Sequence, residues 1–390
     1  MSGARVATRR GRRGEARAPL PFREVPFHHG SHQQLLDRID PADAPPEQLD
    51  AVIVPTSRPV SCLREATRLA RELDCRLVAL CSRSASATEA AALGGDLAAD
   101  LLAIDTTGLR PVPGLVTTGP PEDPRFARDS DLSLKRNLAL RLARVAGWER
   151  VLLLDDDISG ADADQVRAAA GLLGRYSVVG LHNDDKLGYP DNSVVCHAYR
   201  AAGGRQDSFI GGGAVVVAPA RVGSFFPDIY NEDWFVFHGA VPIAVTGRVV
   251  HRPYDPFALA VRARAEEFGD CLAEGLFWLL DEDRGLDAAT PDFWRGFLQH
   301  RREFIGHVLG RLRASEGPAE HRDRMLASVA AAQRWSSFVT PRACARYVES
   351  WREDVERWQK HLADLPDART TRQALQLLGL SDRTVHAESR

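Results

Sequence analysis

Four apolar residues in a row, Val151-Leu152-Leu153-Leu154, run directly into three acids, Asp155, Asp156 and Asp157. A short run of this kind reads as a strand buried on both faces. Strands like that belong to parallel sheets covered by helices, so this segment constrains the fold more than any other. It also sets three carboxylates at the carboxyl end of a strand, where open α/β sheets bind their ligands.

The preceding chain supplies the rest of such a sheet. Ala51-Val52-Ile53-Val54, ended by Pro55, predicts a first strand, with a second over 76–80 and a third over 101–104. Leu63, Ala66, Leu69, Ala70 and Leu73 fall at helical spacing, and an Ala-rich helix is expected over 85–93. Leu134, Leu138, Leu142 and Val145 form one stripe, so 131–146 should be an amphipathic helix. Ser130 or Asp131 can cap it, and Gly147 can end it. Strand and helix in alternation predict an α/β fold with a mostly parallel sheet and helices on both faces.

Beyond Pro256 the pattern changes. Trp278, Trp294, Trp335, Trp351 and Trp358 fall in or beside helix-like stretches at 271–280, 293–312 and 342–362. The expected organisation is a sheet domain over 49–255 and a helical region over 256–390 packed on it. Tryptophan at helical spacing is core material first, although the region can also shape an acceptor pocket or a homo-oligomer interface.

Residues 1–48 read as a disordered basic tail. Arg5, Arg9, Arg10, Arg12, Arg13, Arg17 and Arg23 face only Glu15 and Glu24, and no apolar periodicity is present. The stretch lacks the continuous apolar core of a secretory signal. No run in the chain approaches the ~18 apolar residues of a membrane span. A formal charge of −3 gives no reason to expect nucleic acid as a partner. Six scattered cysteines without a C-x-x-C pair suit reduced thiols and a cytoplasmic setting. His28, His29 and His32 lie in a Pro-flanked segment without a second ligand group, and no metal site is expected there.

The acid run suggests its own chemistry. Mg²⁺ and Mn²⁺ prefer carboxylate oxygens and can bridge the phosphates of a nucleotide diphosphate. Alternate residues of an extended chain point the same way, so Asp155 and Asp157 can reach one ion while Asp156 faces a ribose or sugar. An isolated D-x-D is as readily a solvated acidic turn. Three acids straight after a buried strand favour the metal reading.

Taken in order, several elements resemble the GT-A glycosyltransferases, family 2 in particular. Val52-Ile53-Val54-Pro55-Thr56 is similar to their opening strand, and Lys135-Arg136-Asn137 to the A-R-N element before the acidic strand. Leu152-Leu153-Leu154-Asp155-Asp156-Asp157 is similar to the D-x-D strand. Phe209-Ile210-Gly211-Gly212-Gly213-Ala214-Val215 resembles the glycine-led strand near the acceptor, and Asn231-Glu232-Asp233-Trp234 the E-D motif at a helix start. The set covers about residues 50–255.

The resemblance implies a nucleotide-diphosphate sugar as donor, a divalent cation as cofactor and an acceptor hydroxyl. It places Pro55, Thr56, Ser57 and Arg58 in the loop that holds the nucleotide, with Asp155 and Asp156 beside it. Arg128, Lys135 and Arg136 are cations for the diphosphate, or a solvated helix face. Asn137 binds the donor or caps a neighbouring loop. Gly211, Gly212, Gly213 and Trp234 fall near the acceptor, with Glu232 orienting it and Asp233 as general base. His251, after Arg248-Val249-Val250, suits a further metal ligand beside Asp155 and Asp157; with it a retaining mechanism stays open.

Two departures qualify this. Cys81-Ser82-Arg83-Ser84 stands where the family commonly has an acid for the base, a role Asp105 could share. Gln333-Arg334-Trp335 has the wrong spacing for the Q-x-x-R-W of processive synthases, so transfer of a single sugar is expected. Two other readings remain: a haloacid dehalogenase-type phosphatase using Asp155-x-Asp157, with Asp155 as nucleophile, and a non-catalytic nucleotide-sugar-binding module.

Overall fold

The computed structural model of the chain describes residues 32–184, 193–204, 210–258, 261–315 and 318–387. The arginine-rich stretch, His28, His29 and Phe209 lie outside them. The first elements are β1 (Leu36–Arg38), β2 (Ala51–Thr56), α1 (Arg64–Glu72), β3 (Arg76–Cys81), α2 (Ala87–Asp96) and β4 (Leu101–Asp105). Next come α3 (Leu132–Ala146), β5 (Val151–Leu154), β6 (Ile158–Ser159), α4 (Ala163–Gly171), β7 (Val178–Asn183) and α5 (Val194–Ala201). They are followed by β8 (Ala214–Val217), α6 (Glu232–His238) and β9 (Ile243–His251). Helices α7 (Arg262–Asp281), α8 (Pro291–Ala314), α9 (Ala319–Ser336), α10 (Pro341–Asp364) and α11 (Thr371–Leu377) complete the chain with β10 (Thr384–His386).

The strands form one sheet in the order β1-β9-β7-β8-β5-β2-β3-β4-β10, with β6 antiparallel on the end of β9. Only β8 and β10 run against the rest of that order. Every residue of β2 is buried, and the two-residue period divides its side chains between faces. Ala51 and Ile53 enter a core shared with α3, α6, α7 and α10. Val52 and Val54 enter a second core with α1, α2 and α4. This is the expected α/β layering, with a helical C-terminal region against it. A third core joins α5 to α8 and α9.

The C-terminal tryptophans are largely structural. Trp294 and Trp358 are among the largest wholly buried side chains. Arg301 on α8 bonds Glu267 at 3.0 Å and Asp270 at 2.5 Å, which ties α8 to α7 through buried charges. No described helix is long and apolar enough to cross a membrane.

Two features depart from the sequence expectation. The ordered chain begins before residue 49: β1 pairs in parallel with β9, Leu36 opposite Ile243. Tyr176 donates to Asp37 at 2.7 Å. The backbone of Pro45 sits so close to α4 that a Cβ on Gly171 would stand 1.6 Å from its carbonyl oxygen. His32 is wholly buried, with Nδ1 2.5 Å from Asp281. The sheet also draws on the far end of the chain, because β10 pairs antiparallel with β4. Edge strands of three residues carry no period of their own, and long-range pairing decides them.

Chain order and sheet order together position the site. From β2 the chain moves outward through β3 to β4, then crosses by α3 to β5 on the other side of β2. The carboxyl ends of β2 and β5 therefore flank a topological switch point, where a crevice opens.

Candidate active site

Three acids follow β5, but they do not stand on extended chain. Asp156 and Asp157 lie in a turn closed by the Ile158 N–H on the Asp155 carbonyl at 3.2 Å. The two-residue alternation therefore fails, and each carboxylate faces a different way. Asp156 accepts from the Thr56 hydroxyl of β2 at 2.6 Å, so it clips the two strand ends together across the switch point. The half-exposed Arg58 guanidinium spans Asp156 at 3.0 Å and Asp157 at 2.6 Å.

Asp157 also meets the end of β9, where its Oδ2 lies 3.4 Å from His251 Nε2. The other ring nitrogen, Nδ1, is 2.7 Å from the Arg252 carbonyl oxygen. A carbonyl only accepts, so Nδ1 carries a hydrogen, and in the neutral form of the ring it is the Nε2 lone pair that faces Asp157. Two electron-pair donors facing each other fit a shared divalent cation. Among the described residues no three His, Cys, Asp or Glu side chains gather into a ready-made metal cage. The remaining ligands of such an ion would come from the phosphates of a bound molecule and from water.

Asp155 departs from its expected place beside Asp157. Both its oxygens accept from Arg136 Nη2 at 2.9 Å. Arg136 also reaches Glu232 at 2.9 Å, and Arg128 takes the other Glu232 oxygen at 3.0 Å. Both arginines thus neutralise protein carboxylates here. Burial raises the Asp155 carboxyl to about 6, against the opposing pull of Arg136. Asp233 rises to about 7, through burial and the neighbouring charge of Glu232.

Asp233 sits at the start of α6 and accepts from the Gly212 N–H at 2.5 Å and from the Trp234 N–H at 3.1 Å. A Cβ at Gly212 would lie 2.8 Å from both Asp233 Cβ and Arg136 Nη1. Gly212 therefore lets Arg136 and Asp233 close on its backbone. Gly213 accepts from the Asp155 N–H at 2.8 Å, which fixes the first acid. Gly211 has open space where a side chain would be.

Lys135 turns the other way from Arg136, as adjacent helical positions must. Its ammonium donates to the Thr56 carbonyl at 2.8 Å, Ser57 at 2.8 Å and Ser82 at 2.7 Å, with Asp131 at 3.1 Å. Burial lowers the Lys135 pKa against the pull of Asp131. Burial works to raise the Asp131 carboxyl, but hydrogen bonds from Ser82 and the charge of Lys135 hold it below its ordinary range. Of the two residues expected to cap α3, Asp131 makes no side-chain cap, while the Ser130 hydroxyl oxygen accepts from the Leu132 N–H at 3.3 Å.

A cavity of about 140 Å³ lies among Arg136, Asp155, Gly212, Asp233, Trp234 and His251. The fold thus gathers the first acid of the run, the glycine run, the α6 start and His251 around one space. Asn137 is not part of it: the side chain bonds the Phe226 backbone twice, each at 2.8 Å, and pins a loop. Trp234 is 7% exposed and packs edge-on to Phe277 and His32, so most of it is core. Asp105 caps Thr107 at 2.9 Å, and its strand is separated from β2 by β3. Ser82 and Asp131 were the unrecognised members. The legible signal was a hydroxyl residue after each of two strands that pair side by side, Thr56 opposite Cys81.

Fold and site together define an α/β protein with a carboxylate-lined site at its switch point. No protein-family model matches the sequence, and a search of curated proteins finds no match. Among solved structures the chain is similar to the mannosyltransferase PcManGT from Pyrobaculum calidifontis, in complex with GDP-Man and Mn2+. The identity is 16%, over 93% of this chain and 92% of that one, with a TM-score of 0.40. A likeness at that level assigns no residue and no activity.

Proposed function

We propose that the chain is a GT-A glycosyltransferase that moves one sugar from a nucleotide-diphosphate donor to an acceptor hydroxyl, with inversion. One observation carries the reading: a buried carboxyl at about 7, Asp233, shares a cavity with the first acid of the switch-point run and with His251. A base near neutral pKa is matched to taking a proton at neutral pH.

Asp157 and His251 would hold Mn²⁺ or Mg²⁺, which offsets the charge of the departing diphosphate. The protein's own groups do the rest. Arg58 exchanges its partners at Asp156 and Asp157 for donor oxygens, and Thr56 with Asp156 keeps the two strand ends in register. The acceptor oxygen bonds to the anomeric carbon as the bond from that carbon to the diphosphate oxygen breaks. Asp233 takes the acceptor's proton, oriented by the Gly212 N–H. Glu232 has both oxygens on arginines, so it positions Arg128 and Arg136 in place of the acceptor. A phosphatase would need Asp155 as a free nucleophile, and the grip of Arg136 on both its oxygens weighs against that reading.

The test is release of a nucleoside diphosphate from a panel of sugar nucleotides with Mn²⁺, water standing in for the acceptor. Slow release from one donor, lost in Asp157→Ala, is expected. Binding without release would favour the non-catalytic module. Asp155-dependent hydrolysis of an aryl phosphate would overturn the proposal in favour of the phosphatase.

A further inference from the structure

A larger cavity, about 560 Å³, opens beside α3 and away from the acids. Its walls are mostly apolar, with Leu109, Leu115, Leu138, Trp358, Leu378 and Leu380 prominent. Val112 at its edge is 46% exposed, which is unusual for a large apolar side chain in this chain. The volume falls in the range of sites that enclose small molecules.

One cation in this wall has no anionic partner among the described residues. The half-buried Arg141 has one bond, from Nε to His361 Nε2 at 3.1 Å, and no ion pair among the described residues. Burial alone acts on its pKa, downward, so no carboxylate stands close enough to compensate the charge. Two carboxylates also border the cavity, and neither serves Arg141. Asp131 is held by Lys135, Ser57 and Ser82, while Asp228 interacts with Arg128. A guanidinium without a counter-charge at the wall of an apolar pocket suits an anion carried on an apolar body.

We propose that this cavity binds an amphiphilic anion, its carboxylate or phosphate head on Arg141 and its hydrocarbon chain along the leucines. Asp131 adjoins both this cavity and the proposed donor site, but Asp155, Asp157 and Asp233 do not border the cavity. The proposal therefore stands whether or not the transferase reading does.

Calorimetric titration of the full chain with decyl phosphate, decanoate and decanol, each below its micelle concentration, tests it. One equivalent of at least one anion should bind about tenfold more tightly than decanol, as a charge-assisted hydrogen bond would give. Preference for decyl phosphate points to a lipid phosphate, and preference for decanoate to a fatty acid. Arg141→Gln should erase the preference, and Arg141→Lys should keep part of it. If Arg141→Gln does not fold, the lysine variant decides. Equal binding of all three probes, no binding, or a preference left undiminished in the variants would overturn the proposal.

Discussion

Arg136→Ala should destabilise the chain by about 3–5 kcal/mol at pH 8, the usual result of removing one partner from a buried ion pair. Its side chain is 4% exposed and makes two bonds to Asp155 and one to Glu232, with Asp233 close by. Alanine leaves those carboxylates buried with only Arg128 nearby, on Glu232. The loss should be pH-dependent. Asp155 and Asp233 already sit at about 6 and about 7 with Arg136 present. Without it both carboxyls rise further, so they are neutral at pH 5 and the penalty shrinks there. Urea melts at pH 5 and pH 8 measure this, and an equal loss at both would contradict the electrostatic account. Arg136→Lys should recover only part, because one ammonium cannot reproduce the forked contacts.

Asp233→Asn should lower kcat by about 10²–10⁴-fold, the range for a lost general base, while donor binding persists. In the wild type, kcat/KM should climb as pH rises through about 7, where Asp233 ionises. Stability should move the opposite way. The folded carboxyl is raised above its unfolded value, so its contribution to stability is complete below pH ~4. That contribution is lost as pH passes about 7. The asparagine variant cannot ionise, and should match the wild type at pH 4 yet melt higher at pH 8. A variant less stable at both values would mean that Asp233 holds α6 in place and nothing more.

Much of the sheet could be read from local pattern. The expected strand at 151–154 is β5 as observed, and those at 51–54, 76–80 and 101–104 fall within β2, β3 and β4. Those strands are buried on both faces, so their composition alone gives them away. The helix expected at 131–146 is α3 to within one residue. The reading left out β1 and β10 at the two edges, which lack a local pattern, together with β6, β7, α4, α5 and most of β9.

The site was legible as a set of residues and less so as a set of partners. Lys135 and Arg136 are adjacent in sequence, yet one reaches the end of β2 and the other the acids of β5 and α6. Composition marks both as cations without saying that each is matched to protein carboxylates. The turn at Asp156 and Asp157 likewise undid an alternation that holds only for extended chain. The resemblance put Gly212 near the acceptor without showing that the space beside it is filled by Arg136 and Asp233. Such distinctions depend on distances between elements far apart in sequence.

Thermal melting with Mn²⁺ and each of UDP, GDP, CDP and ADP, wild type against Asp157→Ala, tests the switch-point donor site most directly. A nucleotide at 100 times its dissociation constant adds about 2.7 kcal/mol of stability, which a melting shift reveals. The account predicts a shift with one nucleotide that requires both the metal and Asp157. No shift with any of the four, or a shift indifferent to Asp157 and to Mn²⁺, would contradict it.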